Sequence, residues 1–178
     1  INDSVFTDTL LGLLHHHSPS GHESAAVSWL VDQMLTHGYD KAESDAAGNV
    51  VGRIGNGPLH IILLGHIDTV PGKIEVRRDG DLLYGRGAVD AKGCLAAFTA
   101  AALKGRELSA LSITVIGAVR EESDSAGAAF VREQYQPPDY LIIGEPSRWD
   151  QVTLGYKGSA QYDLIAKRSM THPASQHA

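Results

Sequence analysis

Val27, Leu30, Val31, Met34 and Leu35 recur at the three- and four-residue spacing of one helical face, and Gly38 follows as a stop. The pattern predicts an amphipathic helix over residues 23–37. Ser20-Gly21-His22-Glu23 precedes it in the S-x-x-E form of a capping box, whose side chains would close the open amides of the first turn. An earlier apolar set, Val5, Phe6, Leu10, Leu11, Leu13 and Leu14, predicts a first helix that ends at Ser18-Pro19. Two short apolar runs come next, residues 49–54 and 60–64, divided by Gly55-Asn56-Gly57-Pro58, and they read as neighbouring strands. Residues 94–103 are rich in Ala and Leu, free of Pro and Gly, and followed by Gly105, as expected of a buried helix. Residues 111–119 and 140–143 are apolar and β-branched, and the stretch between them, 125–134, predicts a further helix.

Strand, helix, strand, helix, strand is the order of an α/β fold: a largely parallel central sheet flanked by helices, its apolar strands buried on both faces. Ligands of such sheets gather at the carboxyl ends of the strands. Residues 159–168 alternate weakly through Ala160, Tyr162, Leu164 and Ala166, as a half-exposed strand of a new unit would. The expected division is therefore a domain over 1–158 and the start of another over 159–178. No internal repeat or low-complexity linker interrupts the chain.

The chain has 178 residues, 43% of them hydrophobic and 20% charged, enough for one compact domain and part of a second. Fifteen Lys and Arg against 21 Asp and Glu give a net charge of -6, without the basic excess that nucleic-acid binding favours. No nucleic-acid partner is expected. The single cysteine, Cys94, forms no internal disulfide, which fits a cytoplasmic protein. No apolar run approaches the roughly 18 residues of a membrane span, and the start, Ile1-Asn2-Asp3-Ser4, lacks the form of a signal peptide. It also lacks Met, so a true N-terminus upstream is expected. His15, His16 and His17 sit inside a patterned segment and read as native residues, not a tag.

Chemistry-bearing residues lie just past each predicted strand, so sequence-distant loops should converge on one rim of the sheet. In Leu64-Gly65-His66-Ile67-Asp68-Thr69, His66 and Asp68 are two apart and point the same way when extended. A carboxylate behind a histidine suits a metal ligand, although a hydrogen-bonded pair closing a turn fits the triplet equally. Asp90 stands ahead of the Ala-rich helix, where an N-cap is the ordinary explanation. The glycines around it match neither phosphate-loop pattern, which removes nucleotide binding. Glu121-Glu122 follows an apolar strand directly: one carboxylate could hold a metal while the other serves as general base, or both could be a solvated acidic loop. Glu145 is another acid placed immediately after a strand. One imidazole and several carboxylates on one rim would repel strongly without a cation. Oxygen-rich ligation with His and no thiolate suits zinc, cobalt or manganese; calcium is disfavoured because its D-x-D-x-D-G loop is absent.

Gly65-His66-Ile67-Asp68-Thr69-Val70-Pro71-Gly72, Gly85-Arg86-Gly87-Ala88-Val89-Asp90-Ala91-Lys92-Gly93, Glu121-Glu122 and Gly144-Glu145-Pro146-Ser147, in that order, resemble the M20 metallopeptidase and amidohydrolase family. With Thr153-Leu154-Gly155-Tyr156-Lys157-Gly158, these motifs are most similar to the lysine-biosynthesis branch, which frees lysine or ornithine from an amino-group carrier protein. Acetylornithine and succinyl-diaminopimelate deacylases are near neighbours. The resemblance implies a zinc-peptidase-like catalytic domain and a homodimer formed through an α+β lid. It implies two divalent metal ions, zinc foremost, with His66 and Glu145 on one, Glu122 on the other and Asp90 bridging. Asp68 would orient His66, and Glu121 would move a proton from water to the departing amine. Glu at 145 is similar to the deacylase and carboxypeptidase branch. Thr171-His172-Pro173-Ala174-Ser175 resembles a lid motif whose His, here His172, stabilises the oxyanion, commonly in the partner's site. The remaining histidines match no family ligand, and Cys94 reads as packing.

Family members run to roughly twice this size, and their last metal ligand is a His near the far C-terminus. A piece of a longer protein is therefore expected; a natively short, inactive chain is the alternative. The expected activity is a metal-dependent amidohydrolase acting on an acylated amino acid or an acidic carrier protein. The rivals are another deacylase or peptidase of the family, a mononuclear site of His66, Asp90 and Glu145, and a non-catalytic metal-binding module. An acidic carrier would require a local basic patch beside the cleft.

Overall fold

The computed structural model, which describes residues 3–147, 150–155, 158 and 162–167, begins with two helices, α1 (Asp3–His15) and α2 (Ser24–Thr36). Strands β1 (Lys41–Ser44), β2 (Val50–Ile54) and β3 (Leu59–His66) follow, then a small pair, β4 (Arg77–Asp79) and β5 (Leu82–Tyr84). The order closes with α3 (Lys92–Gly105), β6 (Leu111–Ala118), α4 (Ala126–Gln134) and β7 (Tyr140–Ile143).

Five strands make one sheet in the order β1-β2-β6-β3-β7. The two pairings that matter for chemistry run through β6, β3 and β7: β3 is parallel to both of its neighbours. β1 and β2 are antiparallel to each other, and β2 to β6. The runs at 49–54 and 60–64, read as neighbours from their short turn, are thus separated by β6. Parallel β3 and β6 require a crossover, which α3 supplies, and β6 is apolar enough on both faces to take the central place.

Successive residues of the strands divide between two apolar layers, as the period of a strand demands. Val50, Ile54, Leu63, Ile113 and Val115 pack with Leu13, Leu30, Met34 and Leu95 on the side of α1, α2 and α3. Val51, Ile62 and Ile116 meet Val131 of α4 on the other. Gly127 lets α4 close onto the strand ends, because a Cβ there would stand 2.3 Å from Asn49 Oδ1 and 2.6 Å from the Val119 backbone. Asn49 uses that proximity, donating to Gly127 O and accepting from the Val119 N–H.

Two features depart from the sequence reading through their polarity. β1 is Lys41-Ala42-Glu43-Ser44, without apolar alternation; its backbone pairing with β2 carries it, helped by Glu43 between Lys41 and Arg53. In the β4–β5 hairpin, Arg77-Arg78-Asp79 is polar and exposed and only the three residues Leu82-Leu83-Tyr84 are apolar, with Arg77 over the Tyr84 ring at 3.6 Å. The capping box is a third departure. Glu23 occupies the N-cap position of α2 but makes no side-chain cap bond, and the Ser20 hydroxyl donates to Asp68 instead.

Ile1–Pro146 form one compact unit and Ser147–Ala178 a second. Within the second, residues 162–167 carry no strand, and Tyr162, Leu164 and Ile165 are exposed. The weak alternation read there has no pairing neighbour among the described residues. No helix among the described residues is long and apolar enough to cross a membrane.

Candidate metal centre

His66 is the last residue of β3, Glu121 and Glu122 follow β6, and Glu145 follows β7. The ladder continues past the strands through Ile67 N–H to Ala118 O and Gly144 N–H to Leu64 O, each at 2.8 Å. These bonds carry the register to the loops and bring the acids to one rim. Asp90 reaches the same rim from the turn before α3. It does not cap that helix, whose N-cap is Ala91 with no side-chain bond.

The inner wall is built from His66, 1% exposed, and Asp68, fully buried. His66 Nδ1 faces Asp68, 3.0 Å from its carbonyl oxygen and 3.4 Å from its carboxylate Oδ1. Donation from Nδ1 to the main-chain carbonyl fixes the ring and directs Nε2 toward the remaining acids. Asp68 in turn accepts from the Ser20 hydroxyl at 2.6 Å, Glu121 N–H at 3.0 Å and Glu122 N–H at 3.1 Å. Burial would raise the Asp68 carboxyl, but these donors and His66 outweigh it and hold the group below its ordinary value.

On the outer wall, His66 Nε2 lies 3.1 Å from Asp90 Oδ1 and 4.0 Å from both Glu121 Oε2 and Glu145 Oε1. His66, Asp90 and Glu122 each offer a ligand atom, all within 4.8 Å of one another. Burial raises the carboxyl of Glu122, and the charges of Asp90, Glu121 and Asp68 add to it against the pull of His66. Glu145 is raised by burial and by Glu121, Asp90 and Glu122, again against His66. The imidazole shows the reverse effect: burial disfavours its charge, yet Asp68, Asp90 and Glu145 lift its pKa to about 9. A half-buried set of carboxylates around one nitrogen donor, short of positive charge, is the donor chemistry of a divalent cation site, and these residues fit one.

A cleft of about 540 Å³ opens at Asp90 and Glu122 and runs over Thr69, Ile74, Tyr84 and Arg86. A smaller hollow beside it shares Ile74 and Arg86 and is lined also by His15, His17 and Lys73. The basic patch that the net charge conceals is therefore local. Another cavity, about 680 Å³, lies near Arg53, His60 and Tyr135 and includes none of the acids.

His66, Asp68, Asp90, Glu121, Glu122 and Glu145 are thus brought together, whereas His172 lies outside the described residues. His16 stacks on Trp29 and His60 meets the Thr114 hydroxyl, both away from the acids. Cys94 is partly buried; burial, Glu145 and Asp90 all push its thiol up, which opposes a nucleophilic role. Ser20, Glu23 and Lys92 were not foreseen. Lys92 is 1% exposed and its ammonium donates to Leu13 O and His16 O, each at 2.9 Å. A cation in the first turn of a helix opposes the dipole, and that anomaly is the signal it offered in the sequence.

Comparison with known proteins agrees with this architecture. A protein of Deinococcus radiodurans named LysW-lysine hydrolase is 48% identical over 161 residues, which are 88% of this chain and 44% of the relative. One of Saccharolobus islandicus named LysW-lysine/LysW-ornithine hydrolase is 33% identical over 168 residues, 94% of this chain and 47% of the relative. The chain spans under half the length of these relatives. Among solved structures, a tripeptidase from Staphylococcus aureus shares the fold with a TM-score of 0.68 at 24% identity, over 83% of this chain and 44% of that one. An M20 family metallo-carboxypeptidase from Sulfolobus solfataricus does so with a TM-score of 0.66 at 20% identity, over 78% and 37%. Residues 62–176 match Peptidase family M20/M25/M40, and with that match across most of its length the chain belongs to this family.

Proposed function

We propose that this chain carries the metal-binding part of a hydrolase that cleaves an amide or isopeptide bond and releases lysine or ornithine from an amino-group carrier protein. The observation that carries the reading is the convergence of His66, Asp90, Glu121, Glu122 and Glu145 at the ends of parallel strands. The 48% identity to a protein named LysW-lysine hydrolase supports the substrate. His66 and Glu145 would hold one divalent cation, Glu122 a second, and Asp90 both, with zinc ahead of cobalt and manganese on the N/O donor set. Such cations supply Lewis acidity, polarising the scissile carbonyl and making water a stronger acid.

The chain's own residues do the rest. The main-chain carbonyl of Asp68 fixes the His66 ring through Nδ1, and the Asp68 carboxylate ties down the amides of Glu121 and Glu122. Glu121, 39% exposed at its side chain and 4.0 Å from His66 Nε2, would take a proton from the attacking water, then return it to the leaving amine. The Lys73, Arg86 and His17 hollow next to the cleft supports an acidic carrier. Residues 159–178 begin the dimerisation lid, from which His172 would reach a site; a cytoplasmic homodimer completes the reading. The test is hydrolysis by the full-length protein of carrier-linked lysine, acetylornithine, succinyl-diaminopimelate and dipeptides side by side. Carrier-linked lysine should be preferred, and Glu121→Gln should lower turnover by about 10²- to 10⁴-fold with metal content unchanged. Surviving turnover in that variant refutes the role of Glu121, and preference for a small acyl substrate refutes the carrier.

A further inference from the structure

The segment that failed as a capping box is bonded to two loops of the candidate metal centre, 67–69 and 120–122. Ser18 donates through its hydroxyl to Ile67 O at 2.8 Å and accepts from Thr69 N–H at 3.0 Å. Ser20 N–H donates to Thr69 O, and its hydroxyl reaches Asp68 Oδ2. Three residues on, the buried Glu23 turns its Oε1 away from its own helix and accepts from Gly21 N–H at 2.8 Å and Arg120 N–H at 3.1 Å. Arg120, Glu121 and Glu122 therefore give three successive backbone N–H groups to two buried carboxylates, the first to Glu23 and the next two to Asp68.

Arg120 has φ of +62°, in the left-handed region that side-chain-bearing residues avoid. A non-glycine residue stays there only when its surroundings over-determine the conformation. Its carbonyl is held from the other side by Ser125 N–H at 2.8 Å, and its N–H by Glu23. This turn redirects the chain after β6 so that the two following amides aim at Asp68 and the side chains of Glu121 and Glu122 face the rim. We propose that Glu23 is a positioning residue for the Glu121–Glu122 pair: it clamps Arg120 in the left-handed turn and so fixes where both carboxylates stand. The bland alternative is a negative charge favouring the N-terminus of α2 through the helix dipole.

The two roles separate by substitution. Gln at position 23 keeps one oxygen acceptor for both N–H groups and removes the charge, whereas Ala removes both. Glycine at position 120 enters the left-handed region without cost and should make the clamp dispensable. The meaning of the carboxylate positions rests on the metal-hydrolase reading, so the primary readouts avoid turnover: amide hydrogen exchange at residues 120–122, and zinc affinity by competition with a chromophoric chelator, in the full-length protein. Glu23→Ala should speed exchange at these amides and weaken zinc binding by about 10- to 100-fold, the usual cost of losing an outer partner of a metal site. Glu23→Gln should stay near the wild type, and Glu23→Ala with Arg120→Gly should recover most of the lost zinc affinity. If Glu23→Ala does not fold, near-wild-type zinc binding by Glu23→Gln and the double variant still supports the clamp. Equal damage from Gln and Ala, no recovery by Arg120→Gly, or a loss of thermal stability alone with exchange and zinc binding unchanged would overturn it. Fast exchange in Glu23→Ala together with an inactive wild type would leave the clamp standing and sink the hydrolase instead.

Discussion

Asp68 and Asp90 flank the same imidazole and live in opposite circumstances. Asp68 is fully buried, and the fold brings it a hydroxyl and two backbone amides in addition to His66. Asp90 has a side chain 58% exposed, and His66 Nε2 is its one hydrogen-bond partner among the described residues. On the same outer wall, the carboxyls of Glu122 and Glu145 are raised by burial and by other carboxylates, with His66 alone pulling them down. A carboxylate whose donors come from the protein is structural furniture and keeps its charge unaided. Acids gathered without donors are stable as a group only when a cation supplies what the chain withholds.

The sharpest way to break that contrast is to remove the outer acid. Asp90→Asn should weaken zinc binding by more than about 100-fold, because the loss of even an outer partner costs about 10- to 100-fold. It should also erase the stabilisation of roughly 2.7 kcal/mol that a ligand at about 100 times its Kd confers on a fold. Zinc titration and urea unfolding with and without zinc measure both. A variant that keeps full zinc-dependent stabilisation would show that Asp90 is not a ligand. Changing the inner acid should act differently. Asp68→Asn leaves an amide NH2 facing Glu121 N–H or Glu122 N–H, donors that cannot be satisfied by another donor. The expected cost is about 1–3 kcal/mol of stability in metal-free protein, with zinc affinity falling by about 10- to 100-fold. Metal-free unfolding thus separates the two walls: Asn at 68 hurts it, and Asn at 90 does not.

The same contrast explains what could be read from the chain. Residues 111–119 and 140–143 announced strands because β6 and β7 are continuous apolar runs, whereas β1 is polar and the β4–β5 hairpin has only three residues in each strand, both being held by backbone pairing. Strand order was beyond reach: nothing local says that β6 will enter between β2 and β3. The acids of the outer wall were legible because each directly follows a strand or opens a helix, and strand ends converge. Ser20 and Glu23 were misread because S-x-x-E has the same form whether it serves a helix or a site. Their true partners, Asp68 and Arg120, arrive from 48 and 97 residues away, and local spacing carries no trace of them.

Lys92 supplies the gentlest probe of the boundary between the walls. It is a buried cation on which the charge of Asp68 acts, yet its hydrogen bonds go to Leu13 O and His16 O. Burial lowers its pKa to about 8 from the ordinary 10.5, with the charge of Asp68 acting in the opposite direction. Between those two values the unfolded chain binds more protons at this position than the folded one, so folding stability rises with pH there. Below about pH 8 both states are protonated and the burial cost is carried in full; above 10.5 both are neutral and it has gone. Lys92→Met removes the titration and leaves the other ionisable groups in both proteins. The difference in unfolding free energy, wild type minus Lys92→Met, should therefore climb from about pH 8 to about pH 10.5 and be flat below. Urea unfolding across that window, in metal-free buffer, reads it directly. A difference that falls with pH would mean that the ammonium is stabilised by the acids around it, and that the division between a self-sufficient inner wall and a cation-dependent outer one is drawn in the wrong place.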